Sequence, residues 1–156
     1  MRPLAESVVS APGSGIRQIM NLALHMQDVR HLEVGEPDFP TPPHVIESAV
    51  EAARNGYTKY TDNAGLLSLR EAISEKLLRV NGDQVAPERI TVTNGAVSGL
   101  MAAVMAVAQA GDDLLLPDPG WPNYTLMCHS VGVHPRPYSL RSQNDFLPDP
   151  EELNSL

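Results

Sequence analysis

The stretch from Ile90 to Gly111 restricts the possible folds of this chain more than any other. Its β-branched opening, Ile90 to Thr93, predicts a short buried strand. Two residues then break the run, and the sequence from Ala96 to Ala110 favours a helix that ends at Gly111. A strand that turns directly into a helix directs several free backbone N–H groups at one point, where the helix dipole favours an anion.

Gly95 allows two interpretations of this turn. Because glycine has no Cβ, a phosphate group can approach the backbone closely there. The alternative is that Asn94 is only the N-cap of the helix and that Gly95 relieves a tight turn. The stretch by itself leaves both interpretations open.

Composition excludes several classes of function. The net charge of −8 argues against nucleic acid or an anionic membrane as the main partner. Cys128 is the only cysteine, which rules out a disulfide framework and a cysteine-based zinc site and fits a reducing compartment. The longest apolar run, Leu100 to Ala108, is too short to span a bilayer, and the first residues do not form a secretory signal. We therefore expect a soluble, cytoplasmic protein.

Motifs for other chemistries are missing from the sequence. The histidines have no i, i+4 pairing typical of metal ligands, so no metal site is expected. A Walker loop, a dinucleotide-binding glycine motif and a serine nucleophile motif do not occur. Cys128 and His129 are sequence neighbours, which rarely face each other as nucleophile and base.

Helical and strand patterns alternate along the chain, which indicates an α/β fold. The predicted elements are a helix capped by Ser14, helices over 44–55, 66–80 and 123–131, and strands over 113–116 and 133–140, the last interrupted by prolines. Near the end, Asp149 and Pro150 begin another helix, and the sequence stops about two turns later. We therefore expect this to be a partial chain.

Three loops contain residues suited to a binding site. Prolines make the loop from Gly35 to Pro43 rigid, which suits a site or a packing corner. The loop from Tyr57 to Gly65 holds two tyrosines, which are more often surface residues than ligand contacts. Trp121 follows the strand over 113–116 at its carboxyl end, where open α/β sheets bind ligands, although a lone tryptophan is as often a core residue.

Six short motifs, taken in order, cover nearly the whole chain. They are Ser14-Gly15-Ile16-Arg17, Gly35-Glu36-Pro37-Asp38-Phe39, Tyr57-Thr58-Lys59-Tyr60 with Asn63-Ala64-Gly65-Leu66, Leu69-Arg70-Glu71-Ala72-Ile73, Thr91-Val92-Thr93-Asn94-Gly95-Ala96, and Pro117-x-Pro119-x-Trp121-x-x-Tyr124. Together they resemble the N-terminal part of a fold-type I, pyridoxal-phosphate-dependent aminotransferase of class I/II, similar to aspartate aminotransferase.

The resemblance implies a domain organisation. Residues 35–156 would form the N-terminal portion of the cofactor-binding large domain, a three-layer α/β/α fold with an incomplete sheet. Residues 1–34 would form an N-terminal helical arm that belongs to the small domain of the family. The full-length protein would be a homodimer that binds pyridoxal 5′-phosphate and moves an amino group between an α-amino acid and a 2-oxo acid.

The resemblance also assigns roles at the cofactor. Gly95, Ala96 and Val97 would hold the cofactor phosphate through backbone N–H groups. Many relatives have lysine at the position of Val97, and its absence removes a charge but leaves the backbone contacts. Trp121 would stack on the pyridine ring, and Tyr60 would reach the cofactor phosphate of the partner subunit.

Two further residues would lie on the substrate side. Gly35 would lie against the α-carboxylate of the substrate, in the loop that the prolines make rigid. Ile16 and its helix would form part of a mobile segment that closes over the substrate.

The catalytic groups of the family would lie beyond residue 156. These groups are the lysine that carries the cofactor, the acid at its ring nitrogen and the arginine for the substrate carboxylate. Lys59 and Lys76 do not match the context of the family's lysine, so we assign no catalytic residue and expect no activity of the chain alone. The missing middle strands would also leave the strand over 90–93 with an unpaired edge.

Two alternatives remain open. The same N-terminal motifs occur in β-lyases and decarboxylases that use the same cofactor. The second alternative is a non-catalytic fragment that binds a related subunit. In that case we expect exposed apolar surface.

Overall fold

The computed structural model describes residues 3–156, apart from the side chains at positions 7 and 8, so the first two residues of the predicted arm lie outside it. The described helices and strands are α1 (Glu6–Val9), α2 (Gly15–Ala23), α3 (Pro43–Arg54), α4 (Leu67–Lys76), α5 (Ala96–Val107), β1 (Asp113–Asp118), α6 (Pro122–Val131), β2 (His134–Ser139) and α7 (Pro150–Ser155). They form two compact units, one of Met1–Val34 with Leu100–Leu156 and the other of Gly35–Gly99.

The sheet of the first unit consists of β1 and β2, which pair in parallel from Asp113 opposite His134 to Asp118 opposite Ser139. The predicted strands over 113–116 and 133–140 are therefore confirmed, and the crossover between them is α6. The hydrophobic core lies between this sheet and α6. Its buried members are Leu116, Cys128 and Val133, with the half-buried Ala108, Leu114, Tyr124 and Val131 packed against them.

The predicted interruption of β2 by its prolines is wrong, because the strand is continuous over His134–Ser139. The N–H of His134 donates to the carbonyl of Asp112 at 2.8 Å, and the N–H of Leu140 donates to that of Asp118 at 2.7 Å. Since backbone N–H groups alternate in direction along a strand, Pro135 and Pro137 face away from β1. They lie on the open edge, where a missing N–H group removes no ladder hydrogen bond.

Two predicted helix caps of this unit are confirmed. The Ser14 hydroxyl accepts a hydrogen bond from the Arg17 N–H at 3.4 Å, where α2 begins. The Asp149 carboxylate accepts one from the Glu151 N–H at 2.9 Å, where α7 begins. Both caps satisfy N–H groups that have no partner within their own helix.

Helix α5 is shorter than predicted, because it ends at Val107 rather than at Ala110. Gly111 lies in the turn before β1 with φ of +94°, and its N–H donates to the carbonyl of Gly132 at 2.9 Å. The Asp112 carboxylate accepts from the Gln109 N–H at 3.0 Å. These bonds satisfy the turn outside the helix, so the predicted end was wrong by three residues.

The helices of the second unit follow their predicted positions. Pro43 is the first residue of α3, and Gly56 follows that helix with φ of +84°. Helix α4 continues into a π-helical turn over Leu77–Asn81, and Gly82 ends it in the left-handed conformation with φ of +77°.

The predicted strand over Ile90–Thr93 is not formed. Its backbone is extended, with φ of −110° and ψ of 127° at Ile90, but the sheet of the described residues contains only β1 and β2. The Val92 N–H donates to the Ala64 carbonyl at 2.9 Å, a loop contact and not a ladder. A β-branched run becomes a strand only when another strand pairs with it, which explains the difference.

Cys128 provides a pH test of this core. Burial raises the pKa of its thiol above the ordinary value. The folded state therefore favours the protonated thiol over the thiolate. This contribution to folding stability is fully present below the unfolded-state pKa of about 8.5, and it is lost as the pH rises from there through the folded-state pKa. We expect the urea midpoint of the wild-type chain to be lower at about pH 9.5 than at about pH 7. The decrease should be smaller in Cys128→Ala. An equal fall in both proteins would contradict the burial of the thiol.

Candidate functional site

The turn before α5 is the segment that the sequence predicts to be an anion site. Gly95 has φ of +81°, a conformation that side chains other than glycine rarely adopt. A Cβ built at Gly95 would meet no atom within 4 Å, so the space beside the backbone is open. Helix α5 begins at Ala96, so the residue that precedes it is Gly95 and not Asn94. This placement does not fit an Asn94 cap, while the positive φ of Gly95 fits a tight turn with or without an anion.

The donors of the turn are those of the first helical turn. The N–H of Gly95 itself donates to the Thr93 carbonyl at 2.8 Å. The following N–H groups, at Ala96 and Val97, precede the first intrahelical donor, because the N–H of Gly99 is the one that reaches back to the Gly95 carbonyl. Both residues are exposed. With the N–H of Ser98, the turn can therefore offer three successive backbone donors and the positive end of a 12-residue helix to an anion.

Thr93 and Gly99 support this turn, and the sequence interpretation had not identified either. The Thr93 hydroxyl donates to the Gly95 carbonyl at 2.9 Å. A Cβ at Gly99 would lie 3.1 Å from the Thr93 Oγ1, so a glycine in the first turn of α5 leaves room for that hydroxyl. The available signal was a glycine inside an otherwise strongly helical run.

Trp121 lies in the first unit, immediately before α6 and after the end of β1. Its ring meets that of Tyr124 edge to face, with centroids 5.4 Å apart and planes at 88°. It is 37% exposed and lines a cleft of about 300 Å³ with residues that include Leu116, Asp118 and Pro137. A ring on the wall of an open cleft is suited to stacking and is not a buried core anchor.

Gly120 makes the turn between β1 and Trp121 possible. A Cβ at this position would lie 2.2 Å from the Pro117 carbonyl oxygen. Since no side chain fits at that distance, only glycine lets the backbone return so closely to the end of β1. The sequence interpretation placed this turn correctly but assigned no role to its glycine.

The other three assigned residues occupy surface positions. Tyr60 is fully exposed in its loop. Gly35 is exposed, and a Cβ built on it would meet no atom within 4 Å. Ile16 is half-buried on α2 and lines an apolar groove with Ile19 and Leu22. Their roles toward a cofactor or substrate remain predictions.

Charged groups near these segments have structural partners. The Lys76 ammonium donates to the Asn81 side chain at 2.8 Å. His31 and Glu33 form a hydrogen-bonded pair at 2.6 Å, which holds the pKa of the Glu33 carboxyl below its usual value. Over residues 3–156, histidine, cysteine and acidic side chains do not form a cluster that could hold a metal. No helix in that range is long and apolar enough to cross a membrane.

Comparison with known proteins identifies one family. Residues 27–156 match the family model described as aminotransferase class I and II. Aspartate aminotransferase from Pyrococcus horikoshii is 38% identical over 150 residues, which are 96% of this chain and 38% of that protein. A bifunctional aspartate aminotransferase and glutamate/aspartate-prephenate aminotransferase from Petunia hybrida is 42% identical over 81% of this chain and 26% of its own length.

Solved structures agree with these sequence matches. Thermus thermophilus aspartate aminotransferase with maleate superposes with a TM-score of 0.91 at 35% identity, covering 99% of this chain and 42% of that one. Thermotoga maritima aspartate aminotransferase gives 0.90 at 31% identity, covering 98% and 42%. These structures confirm the predicted partial fold-type I large domain, an α/β fold with an incomplete sheet. The chain spans well under half the length of these relatives, and it belongs to the family of class I and II aminotransferases.

Proposed function

We propose that this chain provides the N-terminal part of a pyridoxal-phosphate-dependent aminotransferase, which moves an amino group between an α-amino acid and a 2-oxo acid. The observation that supports this most directly is the open turn at Gly95, with its φ of +81° at the start of α5. The turn occurs in a chain that matches the aminotransferase family over residues 27–156.

The residues present fit this cofactor. Pyridoxal phosphate has a dianionic phosphate and a flat aromatic ring, and when bound it supplies the electron sink for chemistry at the amino acid α-carbon. The turn of Gly95, Ala96 and Val97 offers backbone donors and an open approach, which suit the phosphate. Trp121 offers a flat, accessible face, which suits the ring.

In this proposal the chain binds and orients the cofactor but does not transfer protons. The α5 turn fixes the phosphate, while Trp121 fixes the tilt of the ring. Gly35 lies against the substrate carboxylate, and Ile16 belongs to the segment that closes over the substrate. Tyr60 reaches the cofactor phosphate of a partner subunit, which requires a homodimer of the full-length protein.

A second candidate is a non-catalytic fragment that binds a related subunit. Exposed apolar side chains favour it: in α5, Met105 and Val107 are 62% and 81% exposed, and no residue of this described helix is buried. The outer edge of β1 also has no paired strand among residues 3–156. Two other activities on the same scaffold would differ in their products. A β-lyase would release ammonia and a 2-oxo acid, and a decarboxylase would release carbon dioxide.

Titration of the purified chain with pyridoxal phosphate tests the main proposal. Trp121 is the only tryptophan, so we expect saturable quenching of its fluorescence. By equilibrium dialysis, Trp121→Ala should weaken binding about two- to tenfold, the range given by an aromatic stacking energy of about 0.5–1.5 kcal/mol. Trp121→Phe should retain most of the affinity.

Phe146→Ala is the matched control, because Phe146 is also an exposed aromatic residue of the first unit. We expect it to leave the affinity unchanged. Unchanged affinity in Trp121→Ala would contradict the stacking role.

A further inference from the structure

Arg70 connects two segments of the second unit that are distant in sequence. Its Nε donates to the Gly65 carbonyl at 3.2 Å, and its Nη1 donates to the Pro87 carbonyl at 3.2 Å. Gly65 ends the loop that contains Tyr60, and Pro87 begins the helical turn that leads into the extended segment 90–93. One half-buried guanidinium therefore joins the tyrosine loop to the approach of the α5 turn.

A backbone contact continues the same connection. The Val92 N–H donates to the Ala64 carbonyl at 2.9 Å. Gly65 has φ of +93°, and a Cβ built on it would lie 2.7 Å from the Val92 Cβ. Only glycine allows this approach, so the end of the loop rests directly on Val92, three residues before Gly95.

Arg70 lies in the first turn of α4, a position where a cation needs acceptors outside the helix. Arg70 is the fourth residue of the helix, where the positive end of the helix dipole disfavours a cation. Two carbonyl acceptors compensate for that placement, and a planar guanidinium can meet both at once. A lysine ammonium is a point charge without this fixed fork.

We propose that Arg70 is a positioning residue, which holds the Tyr60 loop at a fixed place relative to the Gly95 turn. Both segments belong to the unit Gly35–Gly99. The meaning of this arrangement rests on the proposed function, in which Tyr60 and the Gly95 turn both serve cofactor phosphates. Arg70 touches neither the cofactor nor the substrate in this proposal.

Amide hydrogen exchange by NMR tests the connection in the full 156-residue chain, without any ligand. In Arg70→Met we expect the Val92 amide to exchange about tenfold faster. The Arg70 hydrogen bonds that hold the neighbouring Gly65 and Pro87 carbonyls are lost, so the bond from Val92 to Ala64 opens more often. The amide of Ile73, within α4, should keep its rate. Arg70→Lys should give an intermediate rate, and dilute guanidinium chloride should restore slow exchange in Arg70→Ala.

Arg79→Met is the matched control, because Arg79 is an exposed arginine on the π-helical turn that continues α4. It should change neither amide. If Arg70→Met does not fold, Gly65→Ala replaces it as the test variant, and the Val92 amide should exchange faster in it. Gly82→Ala is the control for Gly65→Ala. A Cβ at Gly82 is strained by a similar φ but meets no neighbour within 4 Å.

The binding of pyridoxal phosphate is measured separately by dialysis, so that the two ideas fail in different ways. Faster Val92 exchange with several-fold weaker binding in Arg70→Met supports both. Faster Val92 exchange in Arg70→Met, together with no cofactor binding by the wild-type chain, supports the connection and contradicts the proposed function. An unchanged Val92 rate in Arg70→Met, an equal rise at Ile73, or an equal rise in Arg79→Met overturns the role of Arg70.

Discussion

Gly95→Val should reduce the affinity of the chain for pyridoxal phosphate at least about tenfold. Valine places branched carbon atoms in the open space that the phosphate would enter, and it resists the φ of +81°. The same strain lowers stability by about 1–3 kcal/mol, so the loss of binding needs a control for strain alone.

Gly56→Val is that control. Gly56 has φ of +84°, and a Cβ there also meets no atom within 4 Å, but the residue follows the C-terminus of α3, where no anion site is expected. Both variants should unfold at lower urea concentration, while only Gly95→Val should lose affinity in dialysis. Equal affinities in the two variants would contradict the phosphate role of the turn.

Amino transfer should be undetectable for the chain alone and should appear when the rest of the fold is supplied. Neither Lys59 nor Lys76 resembles the lysine that carries the cofactor in the family, and Lys76 already bonds to Asn81. The complementary part would be taken from the Thermus thermophilus enzyme, of which this chain covers 42%. We expect the association to use the exposed apolar residues of α5 and the edge of β1 that has no paired strand within residues 3–156.

The assay would follow transfer from labelled aspartate to 2-oxoglutarate in the mixed chains. A complementary part in which the cofactor lysine is replaced by alanine is the control and should abolish the signal. Transfer by the chain alone, above the rate of free pyridoxal phosphate, would contradict the assignment of no catalytic residue.

Features with local causes were predicted well from the sequence. The caps at Ser14 and Asp149 depend on one side chain and an N–H group two or three residues away. Strand β1 and the turn to Trp121 also follow from a short apolar run and the residues after it. Such features need no knowledge of distant residues.

Features that depend on distant partners were missed. The extended segment 90–93 has strand-forming residues, but its hydrogen bond goes to a loop at Ala64. The prolines in β2 predict interruptions, and only the pairing register with β1 places them on the open edge of the strand. The contact of Arg70 with Pro87 spans 17 positions, and no local pattern indicates it.

Calorimetric titration of the wild-type chain with pyridoxal phosphate and with pyridoxal measures how much the phosphate contributes to binding. Both compounds have the same ring, so stacking on Trp121 contributes equally to both. The same comparison with pyridoxine phosphate and pyridoxine, which lack the aldehyde, excludes reactions with lysines and the internal hemiacetal of free pyridoxal. We expect pyridoxal phosphate to bind at least about tenfold more tightly, because only its phosphate can use the Gly95 turn. Equal affinities would mean that the turn does not recognise phosphate and would overturn its proposed role.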